Sequence, residues 1–248
     1  MKRVLSFLLL LTLPVFLRAI PLQLATGNQF QPFADDQLLN GGITTDIVRR
    51  AYSHIGNKIT IEFLPWPRGY EGTRQHHYFA TFPYARTPER EQDFHYSIPI
   101  LTVSQKVFVR AGSNIDSFHE EQLKGATGCQ PIGWFINDQT QSMLDRQIIS
   151  MHRPPNMENC FRMLKEDRVH YVYVDELTGW FIIRKYYPNE IHAFRTLNDA
   201  FNPYTLHLLI SKSYPDADKY LKQFNQTIRS FEDSGIIKQI IDRHMGAD

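Results

Sequence analysis

The sequence predicts an α/β fold in two lobes joined by a hinge of two chain crossings. Three observations predict it. Strand-like and helix-like patterns alternate along the chain, the order expected when helices cover sheets. They fall into an early set, a middle set and a late strand followed by two helices, so the middle set reads as an insertion in the first lobe. The two cysteines, Cys129 and Cys160, both lie inside that middle set, where a bridge would stiffen one lobe and leave the hinge unlocked. The expected organisation is residues 20–109 and 196–248 for lobe 1 and residues 110–195 for lobe 2, with crossings near 108–112 and 192–200.

The elements follow in order. Met1-Lys2-Arg3, an apolar run from Val4 to Leu17, and Arg18-Ala19 have the layout of a secretory signal peptide cut near Ala19. The run contains Pro14 and falls short of the ~20 residues that a membrane-spanning helix needs. Pro21 to Ala25 predicts a first strand. Ile43, Ile47, Val48, Ala51, Tyr52 and Ile55 keep helical spacing, with Thr44 or Thr45 as the expected cap and Gly56 as the stop. Ile59 to Leu64 alternates as a strand, and Trp66-Pro67 opens a helix, since proline suits a first turn. Further strands are expected at Phe79 to Phe82, Gln105 to Arg110, Ala126 to Cys129, Val169 to Val174 and Tyr204 to Ile210. Further helices are expected at about Gly133 to Leu144, 156–165, Asp216 to Phe231 and Gly235 to His244.

Charge and cysteine content narrow the function classes. Removal of residues 1–19 takes Lys2, Arg3 and Arg18 with it and moves the formal charge from +1 to −2 over 229 residues. Such a chain has neither the basic footprint of a nucleic-acid binder nor a polybasic patch for anionic lipid. An isolated cysteine pair in an exported chain reads as a disulfide, closing a loop worth about 3–4 kcal/mol in the chain-entropy view. Neither cysteine has a second ligand at zinc-like spacing, and His76-His77, adjacent residues, read as a solvated loop, so no metal or other cofactor is expected.

A set of short motifs carries a resemblance. Gln31-Pro32-Phe33 follows the first strand, Gly42-Ile43 leads to Asp46-Ile47, and Thr87-Pro88-Glu89-Arg90 is followed by Phe94-His95-Tyr96-Ser97-Ile98-Pro99. Val169 to Asp175 and Ser230 to Ile241 complete the series. In that order they resemble the bacterial extracellular solute-binding proteins of family 3, the amino-acid-type periplasmic receptors of ABC importers. The resemblance implies the type II periplasmic-binding-protein fold, a periplasmic location, lobe closure over a small carboxylate or amino-acid-like ligand, and delivery to an inner-membrane ABC permease. A monomer is expected.

The resemblance also implies roles. Arg90 is expected to hold the ligand carboxylate, which its planar fork of donors fits bidentately. Its alternative is a surface ion pair with Glu89 or Glu91. Thr87 is expected to add a hydroxyl contact, and Arg86 reads as a solvated neighbour. Asp175, at the end of an apolar strand, is expected to meet a ligand ammonium group. Its alternative is to cap the helix that starts at Glu176. Phe30, Phe33, Trp66 and Tyr84 are expected in the cleft wall, Ala85 beside it, and Trp134 at a helix start that could take an anionic group. The sequence departs from the family before the strand at Phe79, where His76-His77-Tyr78-Phe79 replaces Gly-x-x-Asp. It departs again at Pro83, Tyr84 and Ala85, where hydroxyl residues are usual. A less polar pocket follows from both.

No nucleophile elbow, His-Glu-x-x-His or phosphate loop occurs, so binding rather than catalysis is expected. Two other functions share the fold: a periplasmic dehydratase on cyclic carboxylates, with Glu176 as general acid, and a ligand-sensing partner of a membrane signalling protein.

Overall fold

The computed structural model describes residues 21–132, 136–199, 201 and 203–246. The expected signal peptide, residues 1–19, and Trp134 lie outside the described residues. Two mixed sheets organise the chain, each with its own helices.

The first sheet is built from β1 (Leu22–Gly27), β2 (Ile59–Leu64), β3 (Ala80–Ala85), β4 (Phe94–Tyr96), β5 (Leu101–Val103) and β11 (Tyr204–Ser211). Its order is β2-β1-β3-β11-β4, with β5 also pairing β11. β1 runs parallel to β2 and β3, which brings the carboxyl ends of β1 and β3 to one edge. β11 returns antiparallel beside β3.

Helix α1 (Ile43–Ile55) packs on this sheet beside α8 (Ala217–Asp233) and α9 (Ile236–Met245). Ile43, Ile47, Val48, Ala51 and Tyr52 are buried at helical spacing against Leu24, Phe82, Phe224, Ile228 and Ile240. Gly56 ends α1 in the left-handed region, with φ 85°, and its N–H and that of Asn57 satisfy the last carbonyls. The start differs from expectation. Gly42, not Thr44 or Thr45, is the cap residue, at φ 97°, and a Cβ there would stand 2.6 Å from the Phe33 carbonyl oxygen. The Thr44 hydroxyl donates to that same carbonyl, so backbone approach to the 30–35 loop decides the entry, not a threonine cap.

The second sheet has the order β10-β6-β9-β7-β8, from β6 (Gln105–Arg110), β7 (Thr127–Cys129), β8 (Ser150–His152), β9 (Tyr171–Asp175) and β10 (Phe194–Thr196). The period-2 rule is visible in β6 and β9. Val107, Val109, Tyr171 and Tyr173 bury on one face with Phe118 and Met143. Phe108, Val172 and Val174 bury on the other with Phe161, Ile183 and both cysteines. Cys129 and Cys160 are bonded across 31 residues, tying β7 to α6 (Met157–Lys165).

The chain enters the second sheet at Ser104, between β5 and β6, rather than near 108–112, because β6 pairs with β9 from its first residue, Gln105. It returns between β10 and β11. The helix expected from Gly133 is α5 (Asp138–Asp145), whose start is fixed by Asn137 accepting from Thr140 N–H. The short β4, β5, β8 and β10, with three residues each, are too brief to show a period. No helix among the described residues is long and apolar enough to cross a membrane.

Candidate functional site

A cavity of about 560 Å³ opens between the two sheets, at the carboxyl ends of their parallel strands. Ligands in open α/β sheets sit at such ends because the loops there are free to diverge and backbone groups face the gap.

The first-sheet wall is aromatic. Trp66 opens α2 (Trp66–Arg74), and its ring stands edge-on to Tyr84, with centroids 5.4 Å apart and planes at 89°. Phe30 meets the other side of Trp66 at 6.0 Å and 78°. The Tyr84 hydroxyl donates to the Trp66 carbonyl at 3.2 Å, and burial pushes that phenol up to about 12. Edge-to-face contacts of this kind fix ring planes beyond what area burial does.

Arg90 extends this wall. Its guanidinium carbon lies 5.1 Å from the Tyr84 ring centroid, and Nη1 donates to the Ala85 carbonyl at 2.9 Å. The ion pair considered for it is made by its neighbour instead: Arg86 pairs with Glu91 and lies over Tyr96. Arg90 sits in α3 (Pro88–Asp93), a helix whose proline occupies the first turn and whose cap is Thr87, accepting from the Arg90 N–H at 3.4 Å. The Thr87-Pro88-Glu89-Arg90 motif is therefore a helix start that aims an arginine back over β3. Arg86, expected as a solvated neighbour, lines the cavity as well.

The opposite wall comes from the second sheet. Asp175 ends β9, is 3% exposed, and opens α7 (Glu176–Tyr186) without its side chain capping that helix. Its Oδ1 has no hydrogen-bond partner. Burial raises its carboxyl to about 6, against a smaller lowering from the Tyr204 phenol. Gln105, Gln130 and Val174 complete this side.

Of the nine residues expected at the cleft, seven line one cavity, Phe30, Trp66, Tyr84, Ala85, Thr87, Arg90 and Asp175, and Trp134 lies outside the described residues. Phe33 does not line it; it is fully buried in the first core. Glu176 is not among the lining residues, and its N–H bonds the Ser104 carbonyl at the crossing. His76 and His77 form a turn after α2, with His76 Nε2 2.8 Å from Ser213 Oγ, and no group of three metal-ligating side chains converges among the described residues. Pro83, named with Tyr84 and Ala85 as the less polar segment, lines the cavity too, whereas sequence reasoning missed Gln29, Gln105, Gln130, Val174, Tyr204 and Leu206. Gln130 could have been found, since it directly follows the last residue of β7, at the end where ligands gather.

Comparison with known proteins agrees with this architecture. The ligand-binding core of GluR0 from Nostoc punctiforme, in complex with L-glutamate, superposes with a TM-score of 0.67 at 20% identity, covering 90% of this chain and 98% of that one. The amino acid ABC transporter substrate-binding protein AbpA from Streptococcus pneumoniae Canada MDR_19A, bound to L-arginine, gives 0.68 at 18%, covering 92% and 95%. A histidine kinase sensor domain with similarity to periplasmic binding proteins gives 0.66 at 15%, covering 91% and 96%. These likenesses establish the type II periplasmic-binding fold. A search of curated protein sequences finds no significant match. The family profile described as "Bacterial extracellular solute-binding proteins, family 3" matches residues 22–247. With nearly the whole described chain matched and the cavity in place between the sheets, the protein belongs to the bacterial extracellular solute-binding proteins, family 3.

Proposed function

We propose that this protein is a periplasmic receptor that captures a small zwitterionic carboxylate of the amino-acid type by lobe closure and delivers it to an inner-membrane ABC permease. One observation carries the reading: Arg90 from the first-sheet lobe and a buried, half-unsatisfied Asp175 from the second line the same cavity. A ligand carboxylate on Arg90 and an ammonium on Asp175 would bridge the lobes. Only the closed arrangement engages both, so the ligand stabilises closure by its differential affinity for that state. Phe30, Trp66 and Tyr84 favour a bulky apolar or aromatic body between the two charged ends. Family membership and relatives that carry L-glutamate or L-arginine support the amino-acid class. Export through a signal peptide cut near Ala19, two lobes that meet at Ser104 and between β10 and β11, and a monomeric state belong to the same reading.

The test is a thermal-shift screen of the mature protein against amino acids, their deaminated analogues and other carboxylates. Saturable stabilisation that disappears in Arg90→Ala supports the reading. Undiminished carboxylate affinity in that variant, or turnover of the bound compound, overturns it. A sensory role is favoured by one observation, the likeness to a kinase sensor domain. Neighbouring genes for a permease and an ATPase would decide for transport.

A further inference from the structure

We propose that α7 is a strap between the lobes: Arg184 and Lys185, outside the cavity, reach across to the first-sheet lobe and hold the two lobes together. Its role rests on the receptor reading, in which the lobes close, and adds the side chains that set how readily they close.

By packing, α7 belongs to the second-sheet lobe, where Ile182 and Ile183 are buried in the core. Leu177, Phe181, Arg184 and Lys185 share another face at helical spacing. Leu177 packs against the core of the first sheet. Arg184 Nη1 donates to the Met245 carbonyl at 3.3 Å, and Lys185 Nζ donates to Gln31 Oε1 at 3.5 Å. Both acceptors belong to the first-sheet lobe: Met245 ends α9, and Gln31 lies in the loop after β1.

Each acceptor suits the task. The last carbonyls of a helix have no partner within it, and a cation there also meets the negative end of the helix dipole. Arg184 supplies both donor and charge to α9 from the other lobe. α9 is itself anchored, because His244 and Asp46 join it to α1. Gln31 is held from its own lobe, its Nε2 donating to Asp35 Oδ2 at 2.9 Å, which leaves Oε1 to accept. Gln31 adjoins Phe30, so Lys185 ties the second lobe to the rim of the aromatic wall. The Lys185 ammonium also lies 5.8 Å from the Phe181 ring centroid and 5.1 Å from that of Tyr186, contacts that keep the long side chain along α7.

Position gives these contacts leverage. α7 starts at the crossing, where the Glu176 N–H bonds the Ser104 carbonyl. Arg184 stands about 12 Å further along the helix axis. Rotation about the crossings displaces the far end of α7 more than its start. The Arg184 and Lys185 bonds therefore form with the lobes together and break as they part. Neither residue lines the cavity, so any effect on binding passes through the open–closed equilibrium.

The experiment uses the ligand-free protein. Nitroxide labels at Ser53→Cys in the first lobe and Lys124→Cys in the second, both exposed positions, report the distance between lobes by double electron–electron resonance. Cys129 and Cys160 are buried and bonded to each other, so they take no label. Arg184→Ala combined with Lys185→Ala should lower the ratio of closed to open protein about three- to tenfold, as the loss of two exposed bonds from charged donors implies. The melting temperature should stay nearly unchanged. Arg184→Lys keeps a donor and a charge at the end of α9 and should retain most of the wild-type ratio. Arg184→Glu sets an anion against that helix end and should lower the ratio by itself, which keeps the proposal falsifiable if the double variant fails to fold. The same distance distribution in wild type, the alanine pair and Arg184→Glu would overturn the strap while leaving the receptor reading standing. Failure of the receptor reading would show separately, as no saturable stabilisation in the ligand screen.

Discussion

Trp66 is packed directly over Gly27: a Cβ added to that glycine would stand 2.0 Å from the indole ring. Gly27 ends β1, and Trp66 opens α2, so the absence of a side chain at a strand end is what lets the indole lie in the cavity wall. Gly27→Ala should push the ring off the wall. The expected cost is about 1–3 kcal/mol of stability, the usual range for overpacking. Urea unfolding followed by tryptophan fluorescence measures it, and native-like emission with unchanged stability would contradict this packing.

Arg90 is held by one hydrogen bond and by the face of Tyr84. Lysine at that position keeps the charge but loses the planar fork and the stack. Arg90→Lys should therefore weaken carboxylate binding roughly 30–100-fold, as the loss of a charged bidentate contact implies. The melting temperature of the ligand-free protein should move little. Calorimetric titration with the compound that emerges from the screen provides the comparison.

Asp175 costs stability as a buried carboxylate. Its folded carboxyl lies near about 6, above its ordinary 3.8. The stability it contributes is therefore full below about pH 4 and is lost as pH rises through about 6. Asp175→Asn keeps the neutral shape, so at pH 7.5 it should be more stable than wild type by roughly 1–3 kcal/mol, with no gain at pH 4. The same variant should bind a zwitterionic ligand poorly. Destabilisation by the asparagine at neutral pH would argue against a buried, strained carboxylate.

Asp46 is the opposite case. Burial alone would raise its carboxyl, but hydrogen bonds from His244, Arg50 and Asn40 hold it well below the usual carboxylate range. It joins α1 to α9, and both its side chain and that of His244 are 4% exposed. The stability it contributes is present above the unfolded value of 3.8 and lost as pH falls below it. Asp46→Ala should cost about 2–4 kcal/mol at pH 7, and the difference from wild type should shrink below pH 4. Denaturant curves between pH 3 and 8 follow both trends.

The Cys129–Cys160 bridge closes a loop of 31 residues within the second sheet's core. Reduction, or replacement of both cysteines by alanine, should lower stability by about 3–4 kcal/mol through the entropy of the unfolded chain. Melting with and without reductant tests this. The bridge does not span the crossings, so ligand affinity at low temperature should survive reduction.

The sequence by itself determined the elements whose signal is local. Ile43 to Tyr52 repeat at helical spacing, and β6 and β9 are β-rich runs bounded by loops, so α1, β6 and β9 were legible to within a few residues. The Thr87-to-Arg90 motif, through its resemblance to the family signature, and the acid that ends the apolar run after Val174 pointed to two candidate anchors. Tertiary structure alone decided which side chains meet. Gln105, Gln130 and Tyr204 carry no local pattern; they share a cavity only because the chain crosses at Ser104 and returns before β11. Phe30 and Phe33 are alike in sequence, yet one faces the cavity and the other fills the core. Periodicity is set by the geometry of a single element, so a sequence displays it. Convergence of a glutamine, a tyrosine and an acid from three strands depends on sheet order and on where the chain changes sheets, and neither leaves a mark on neighbouring residues.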